Sequence, residues 1–250
     1  MVLRERAVHE GSLRGPSDSQ TAWDRQAIGY VSVPRDRLWY GPAVYRLAVV
    51  IALLCGCKVK DPPPITQQWY DGFERDELGP NYAATGDGYE IANGQLSAKG
   101  AHNHPLWLRK KLPRNARIEF DAWSTEQRGD IKVEIWGDGQ SYDPDGGRYV
   151  ATGYEVIFGG WYNSKSIIAK LDEHGTAMAQ RSDVKVIPGK HYHWRIERQG
   201  GTIHWYIDDM TTPFLQYVDT KPLDGVGHEY FAFNNWETDT WFDNLVITPL

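Results

Sequence analysis

HYHWRIERQGGTIHWYID, residues 191–208, consists of two alternating runs joined by Gly200 and Gly201. Side chains on a β-strand point to opposite faces in turn, so Tyr192, Trp194 and Ile196 share one face of the first run, and Ile203, Trp205 and Ile207 share one face of the second. Two adjacent glycines between two such runs predict a tight hairpin, because its central residues need backbone angles that side chains resist. The pair therefore reads as two antiparallel strands with one buried face.

The same pattern recurs on both sides of this hairpin. Short runs rich in Val, Ile, Tyr, Phe and Trp occupy 89–94, 95–99, 105–112, 116–124, 130–136, 149–158 and 166–172, and continue at 183–187, 230–236 and 240–247. Gly, Asn, Asp and Pro separate them, and Asn93-Gly94 predicts a second hairpin. About a dozen strands with no run of helical period predict an all-β chain folded as an antiparallel sandwich or barrel.

The chain has 250 residues and a formal net charge of −6, but its beginning differs from the rest. Residues 1–57 hold seven Arg and no Lys and end in RLAVVIALLCGC. After Arg46, the apolar run Leu47–Leu54 is far shorter than the roughly 20 residues a membrane-spanning helix needs, and Gly56 precedes Cys57. This reads as an export signal. LCGC resembles the bacterial lipoprotein signal, which implies cleavage before Cys57 and lipidation of that cysteine. The 46 residues ahead of the apolar run are long for such a signal, and translation is expected to start downstream, near Val33 or Val44. The expected division is 1–57 signal region, 58–68 proline-rich tether and 69–250 domain.

Residues 58–250 carry 20 Lys and Arg against 28 Asp and Glu, with no basic stripe, so nucleic acid is not an expected partner. Both cysteines lie in the signal, which leaves the domain without disulfide, thiolate ligand or thiol nucleophile.

Three segments resemble a known family. DGFERDELGPNY (71–82), YEIANGQLSA (89–98) and WFDNLVI (241–247) are similar to the opening, first strand pair and closing strand of concanavalin A-like lectin and glucanase jelly rolls. The resemblance implies a β-sandwich in which one concave sheet offers a groove to polysaccharide. It also implies a place for catalysis, because glucanases of that fold carry Glu-x-Asp-x-Glu along one groove strand.

In this chain that pattern falls on GDIKVEIWGDG, residues 129–139, at Asp130, Lys132 and Glu134. Two of the three positions depart from it. Residues four apart on a strand have Cα atoms roughly 13 Å apart, whereas a retaining mechanism needs carboxyls about 5–5.5 Å apart. Lys132, lying between the two acids, is expected to hold both ionised and to lower their pKa values, while a general acid needs its own raised. The strand thus reads as a ligand-gripping polar face, with Trp136 on the same side as Asp130, Lys132 and Glu134. Were the chain an enzyme, Glu134 with Glu155 is the remaining acid/base pair, given adjacent strands, and Asp130 the third carboxylate.

Aromatic residues point the same way. Trp136, Trp161 and Trp236 stand where strands meet polar loops, with Asp138, Asn163, Asn234, Asn235 and Glu237 nearby. A flat ring can stack on a pyranose while such neighbours take its hydroxyls, although sandwiches also cap their cores with tryptophan. Trp107, Trp194 and Trp205 are expected in the core. His191 and His193 share a strand face and His102 and His104 flank Asn103, but neither pair completes a three-ligand metal set. Asp138, Asp143 and Asp145 offer calcium-type oxygens without EF-hand spacing, so no cofactor is required and calcium is the alternative.

The sequence therefore predicts an exported, carbohydrate-binding jelly roll held to the cell envelope, the outer membrane in particular, by a lipid on Cys57, with a glycan-processing enzyme on the same scaffold or a structural envelope protein as the alternatives. Its expected ligand is a polysaccharide or oligosaccharide, met by Asp130, Lys132, Glu134, Trp136, Glu155, Trp161, Asn163 and Trp236.

Overall fold

The computed structural model describes residues 61–140, 142 and 149–250. Cys57, the signal region, Asp143 and Asp145 lie outside the described residues. Fifteen strands are present among them: β1 (Trp69–Asp71), β2 (Tyr82–Ala84), β3 (Glu90–Ala92), β4 (Gln95–Ser97), β5 (Leu106–Leu108), β6 (Ala116–Ser124), β7 (Ile131–Gly137) and β8 (Tyr154–Gly159). They continue with β9 (Lys165–Lys170), β10 (Ala179–Arg181), β11 (Tyr192–Gln199), β12 (Thr202–Ile207), β13 (Leu215–Val218), β14 (Tyr230–Asn234) and β15 (Thr240–Pro249).

The strands form two antiparallel sheets. One runs β13-β12-β11-β6-β15-β4-β3, with β1 also on β15, and the other runs β10-β9-β8-β7-β14-β5-β2. This interleaving of distant strands is the jelly-roll sandwich that the alternation predicts. Both predicted hairpins form: Gln199 pairs with Thr202 across Gly200-Gly201, and Ala92 with Gln95 across Asn93 and Gly94, both at positive φ. The inward set follows, since Trp194, Ile196, Ile203 and Trp205 are buried and join the core. Phe120, Phe158, Phe231, Phe233 and Phe242 fill the space between the sheets with edge-on and tilted ring contacts.

The opening motif has a clear mechanical role. Asp71 takes a backbone hydrogen bond from Phe73 (2.9 Å), one from the Tyr82 hydroxyl (2.8 Å) and a two-pronged pair from Arg75 (2.6 and 3.0 Å). Burial alone would raise its pKa, but these donors outweigh burial and hold the carboxyl below its ordinary value.

The structure differs from expectation in several elements. DVKVI, 183–187, is not a strand; Val186 instead plugs the core from a loop. β1, β2, β10 and β13 are too short for alternation to announce them. The expected tether is fastened at Ile65, which is 5% exposed and whose N–H donates to Lys111 (2.9 Å). Trp107 is buried as expected, but on the outer face of its sheet, opposite Ala232, whose other register partner is Glu134.

Candidate functional site

The site grows from β7. Its register places Glu134 directly opposite Glu155 of β8 and Lys132 opposite Ile157, so these four share the outer face of the smaller sheet. Trp136 does not share it. Tyr230 pairs with Gly137 and Phe231 with Ile135, which leaves Trp136 as the extra residue of a β-bulge at φ 54°. The bulge turns its ring into the core, where the Arg198 guanidinium lies 4.8 Å from the ring centre and the indole N–H donates to the Pro113 carbonyl (3.1 Å). The strict alternation expected of residues 130–136 therefore fails at its last position.

The polar face is not solvated. Lys132 is 1% exposed, and Glu134 and Glu155 are 0% exposed, because loops fold over them. Glu134 spends its carboxylate on one of those loops. It accepts from the backbone N–H groups of Thr152 (2.8 Å) and Gly153 (2.7 Å), the Thr152 hydroxyl (3.0 Å) and the Tyr149 hydroxyl. Among the described residues neither oxygen of Glu155 has a hydrogen-bond partner. Lys132 donates to Asn103 Oδ1 and to Glu173 (2.7 Å), and Asn103 in turn donates to Glu173 (3.1 Å).

These surroundings reverse the expected electrostatics. Burial pushes the carboxyls of Asp130 and Glu134 above their ordinary values, and that of Glu155 well above, although Lys132 pulls Asp130 and Glu155 the other way. The loss of water outweighs the neighbouring ammonium. Lys132 itself suffers from burial, yet Glu173, Asp130 and Glu155 together keep it protonated, with its pKa raised.

Beside this buried cluster opens a pocket of about 270 Å³, with Ile157, Lys132 and Asp130 in its lining. Trp161, Tyr162 and Trp236 also line it, and Arg128, ion-paired to Glu237 at 2.6 Å, lines it too. Asp130 is bound into this structure by the Trp236 N–H, which donates to it at 2.6 Å.

Unusual backbone builds the aromatic rim. Trp161 (φ 52°, ψ 59°), Tyr162 (58°, 46°) and Asn163 (φ 59°) follow one another in the left-handed region between β8 and β9. Such residues cost roughly 1–2 kcal/mol each, so surrounding structure must hold them there. Asn163 does so: its side-chain N–H₂ donates to the carbonyls of Gln127 (3.0 Å) and Val186 (2.8 Å), and its oxygen accepts from the Val186 N–H (2.9 Å). Asn163 is thus a clasp behind the rim and does not face the pocket. His102, Asn103, Asp130 and Leu171 also have positive φ, so among the described residues six non-glycine residues of this conformation line the pocket or the cavity beside it.

Of the residues chosen from sequence, Asp130, Lys132, Trp161 and Trp236 meet around the pocket, Glu134 and Glu155 lie beneath loops outside its lining, and Trp136 is in the core. Sequence reasoning did not select Arg128, Tyr162, Glu173 or His174. The last two sit in the turn DEHG after β9, whose polar composition was a visible signal without an address.

The histidine pairs do not gather ligands. His191 stacks on Trp123 at 4.0 Å, and His193 is bound to Asp121 at 2.8 Å. Among the described residues no group of three or more His, Cys, Asp or Glu is placed to hold a metal ion.

Comparison with solved structures fixes the architecture. The carbohydrate-binding module CBM66 from Bacillus subtilis superposes with a TM-score of 0.54 at 14% identity, covering 69% of this chain and 98% of that one. A Bacillus subtilis protein of unknown function with a galectin-like fold gives 0.55 at 13% identity, covering 76% and 97%. The fold is the concanavalin A-like jelly roll. One family model, described as farnesoic acid 0-methyl transferase, matches residues 144–244, and no curated protein sequence matches the chain.

Proposed function

We propose that this chain is an exported, lipid-anchored glycan-binding protein of the cell envelope, whose ligand enters the pocket between Trp161 and Trp236. The observation that carries this reading is an aromatic rim, 79% exposed at Tyr162 and 47% at Trp236, around a floor of fixed polar groups. Rings supply apolar faces for C–H surfaces, and Asp130, Glu173 and the nearby amide Asn103 supply partners for hydroxyls. Replacing Trp161 or Trp236 with alanine is expected to weaken retention by the preferred polysaccharide about tenfold or more, the range of a central aromatic contact, without lowering the melting temperature much. Unchanged retention in both variants would refute the site.

The farnesoic acid description suggests methyl transfer instead. The matched segment here runs through the antiparallel hairpins β8-β9 and β11-β12, and the one-turn helical segment Gly160–Asn163 that joins β8 to β9 is left-handed at Trp161 and Tyr162, not a crossover helix whose N-terminus could cradle a nucleotide-bearing methyl donor. Glycan binding is the better-supported reading.

A second reading, glycoside hydrolysis, is favoured by one observation: Glu134 and Glu155 stand directly opposite on adjacent strands, with both carboxyls raised in pKa. Against it, neither residue lines the pocket and Glu134 has its oxygens engaged. New reducing ends from any polysaccharide, lost in Glu155→Gln, would establish hydrolysis over binding.

Anchoring rests on Leu47–Leu54 followed by Gly56-Cys57. Cys57→Ala is expected to move the protein from the membrane fraction to the soluble fraction. Equal membrane recovery of both forms would rule out lipidation there.

A further inference from the structure

We infer that the pocket is one half of a longer cleft that takes an uncharged oligosaccharide of at least two sugar units. The inference rests on the glycan-binding reading and gives it a ligand class. A second cavity, of about 580 Å³, adjoins the first. Asn103, Glu173, His174 and Trp236 line both, so the two are halves of one depression divided by a shared ridge. The base of that ridge is rigid, because Asn103 and Glu173 bond each other and both accept from the buried Lys132. Its crest is open: the His174 side chain is 73% exposed and Trp236 is 47% exposed.

Aromatic side chains recur along the whole depression. Trp161 and Tyr162 stand at one end, Trp236 in the middle and Tyr142 at the other end, where its ring packs on His104 at 4.0 Å. A single sugar covers one ring face, so rings spaced along two joined cavities fit successive units of a chain.

Charge selects the kind of chain. Among the described residues, Asp130, Asp172, Glu173 and Glu237 line the two halves, against Lys132 and Arg128 as their lysine and arginine. Both cations are committed, Lys132 to Glu173 at 2.7 Å and Arg128 to Glu237 at 2.6 Å. A uronate or sulfated sugar would enter facing carboxylates whose lining cations, among the described residues, are already paired, the next cation, Lys165, lying over the Trp161 ring at 3.9 Å, and a like charge in a confined site is repelled. Neutral hydroxyls meet no such penalty and can donate to the same carboxylates.

The test is isothermal titration of the full chain in detergent micelles. The probes are neutral glucan, mannan, xylan, galactan and fructan oligosaccharides of one to six units, beside oligogalacturonate and oligoalginate ladders. The expected result is a neutral series whose affinity rises at least tenfold from one unit to three or four and then levels, with acidic ladders at least tenfold weaker at equal length. Tyr142→Ala should weaken the tetrasaccharide at least tenfold more than the monosaccharide, with an unaltered melting curve as the control for folding. Affinity already complete at one unit would overturn the two-part cleft while leaving glycan binding intact. An acidic ladder binding as tightly as the neutral one would overturn the charge argument. Failure of every glycan to bind would overturn the proposed function itself, and this inference with it.

Discussion

Lys132→Ala is expected to destabilise the domain by about 3–5 kcal/mol, read as a fall in the urea midpoint with an unchanged slope. Lys132 is 1% exposed and holds Glu173 at 2.7 Å, with Asn103 bonded to both. Its ammonium also lies among Asp130 and Glu155, each of which responds to it. Removing the lysine leaves these acids in low dielectric with no counter-charge, and the cost is that of uncompensated buried charge, not of a lost contact. Glu173→Gln added to the lysine variant should recover part of the loss, because it removes the carboxylate that Lys132 pairs with. A loss below about 1 kcal/mol would mean that water enters the cluster and screens it.

The second large effect is a dependence on pH centred on Glu155. Burial holds this carboxyl well above its ordinary value, and Glu173 and Glu134 push the same way. A group whose pKa is raised by folding favours the folded state fully at pH below its unfolded value, about 4.3 for glutamate, and that contribution is lost as pH rises through the folded value. Asp130 and Glu134 share the direction, whereas Asp71 opposes it, losing its contribution on acidification. Glu155→Gln cannot ionise. It should therefore be about 1–3 kcal/mol more stable than the natural chain at pH 8, with the difference vanishing towards pH 4, in urea melts across that range. A constant difference at all pH values would show that folding does not shift Glu155, and a natural chain more stable at pH 8 would show it ionised and paired.

The particular residues explain how much was legible. The hairpin 191–208 announces itself because its period of two runs unbroken for six residues on each side of two glycines. The opening motif is legible for a related reason: Asp71, Phe73, Arg75 and Tyr82 meet within twelve residues, so local spacing nearly fixes their contacts. Trp161 could be suspected from the loop it occupies, and Tyr162 beside it only once three left-handed residues turned both rings outward. Trp136 was misplaced because a bulge depends on the partner strand, and nothing within 130–136 records that β14 runs one residue short there.

The sequence by itself determined the architecture: alternation, glycine turns and aromatic inward sets are local, and a local period tells each strand which face to bury. Only the tertiary structure decided what the charges of β7 mean. Lys132, Glu134 and Glu155 read as a wet polar ladder in one dimension, yet residues 103, 149–153 and 173 arrive from afar to cover them. Whether an acid keeps its proton depends on how much water its surroundings exclude, a property of the three-dimensional packing that no spacing along the chain contains.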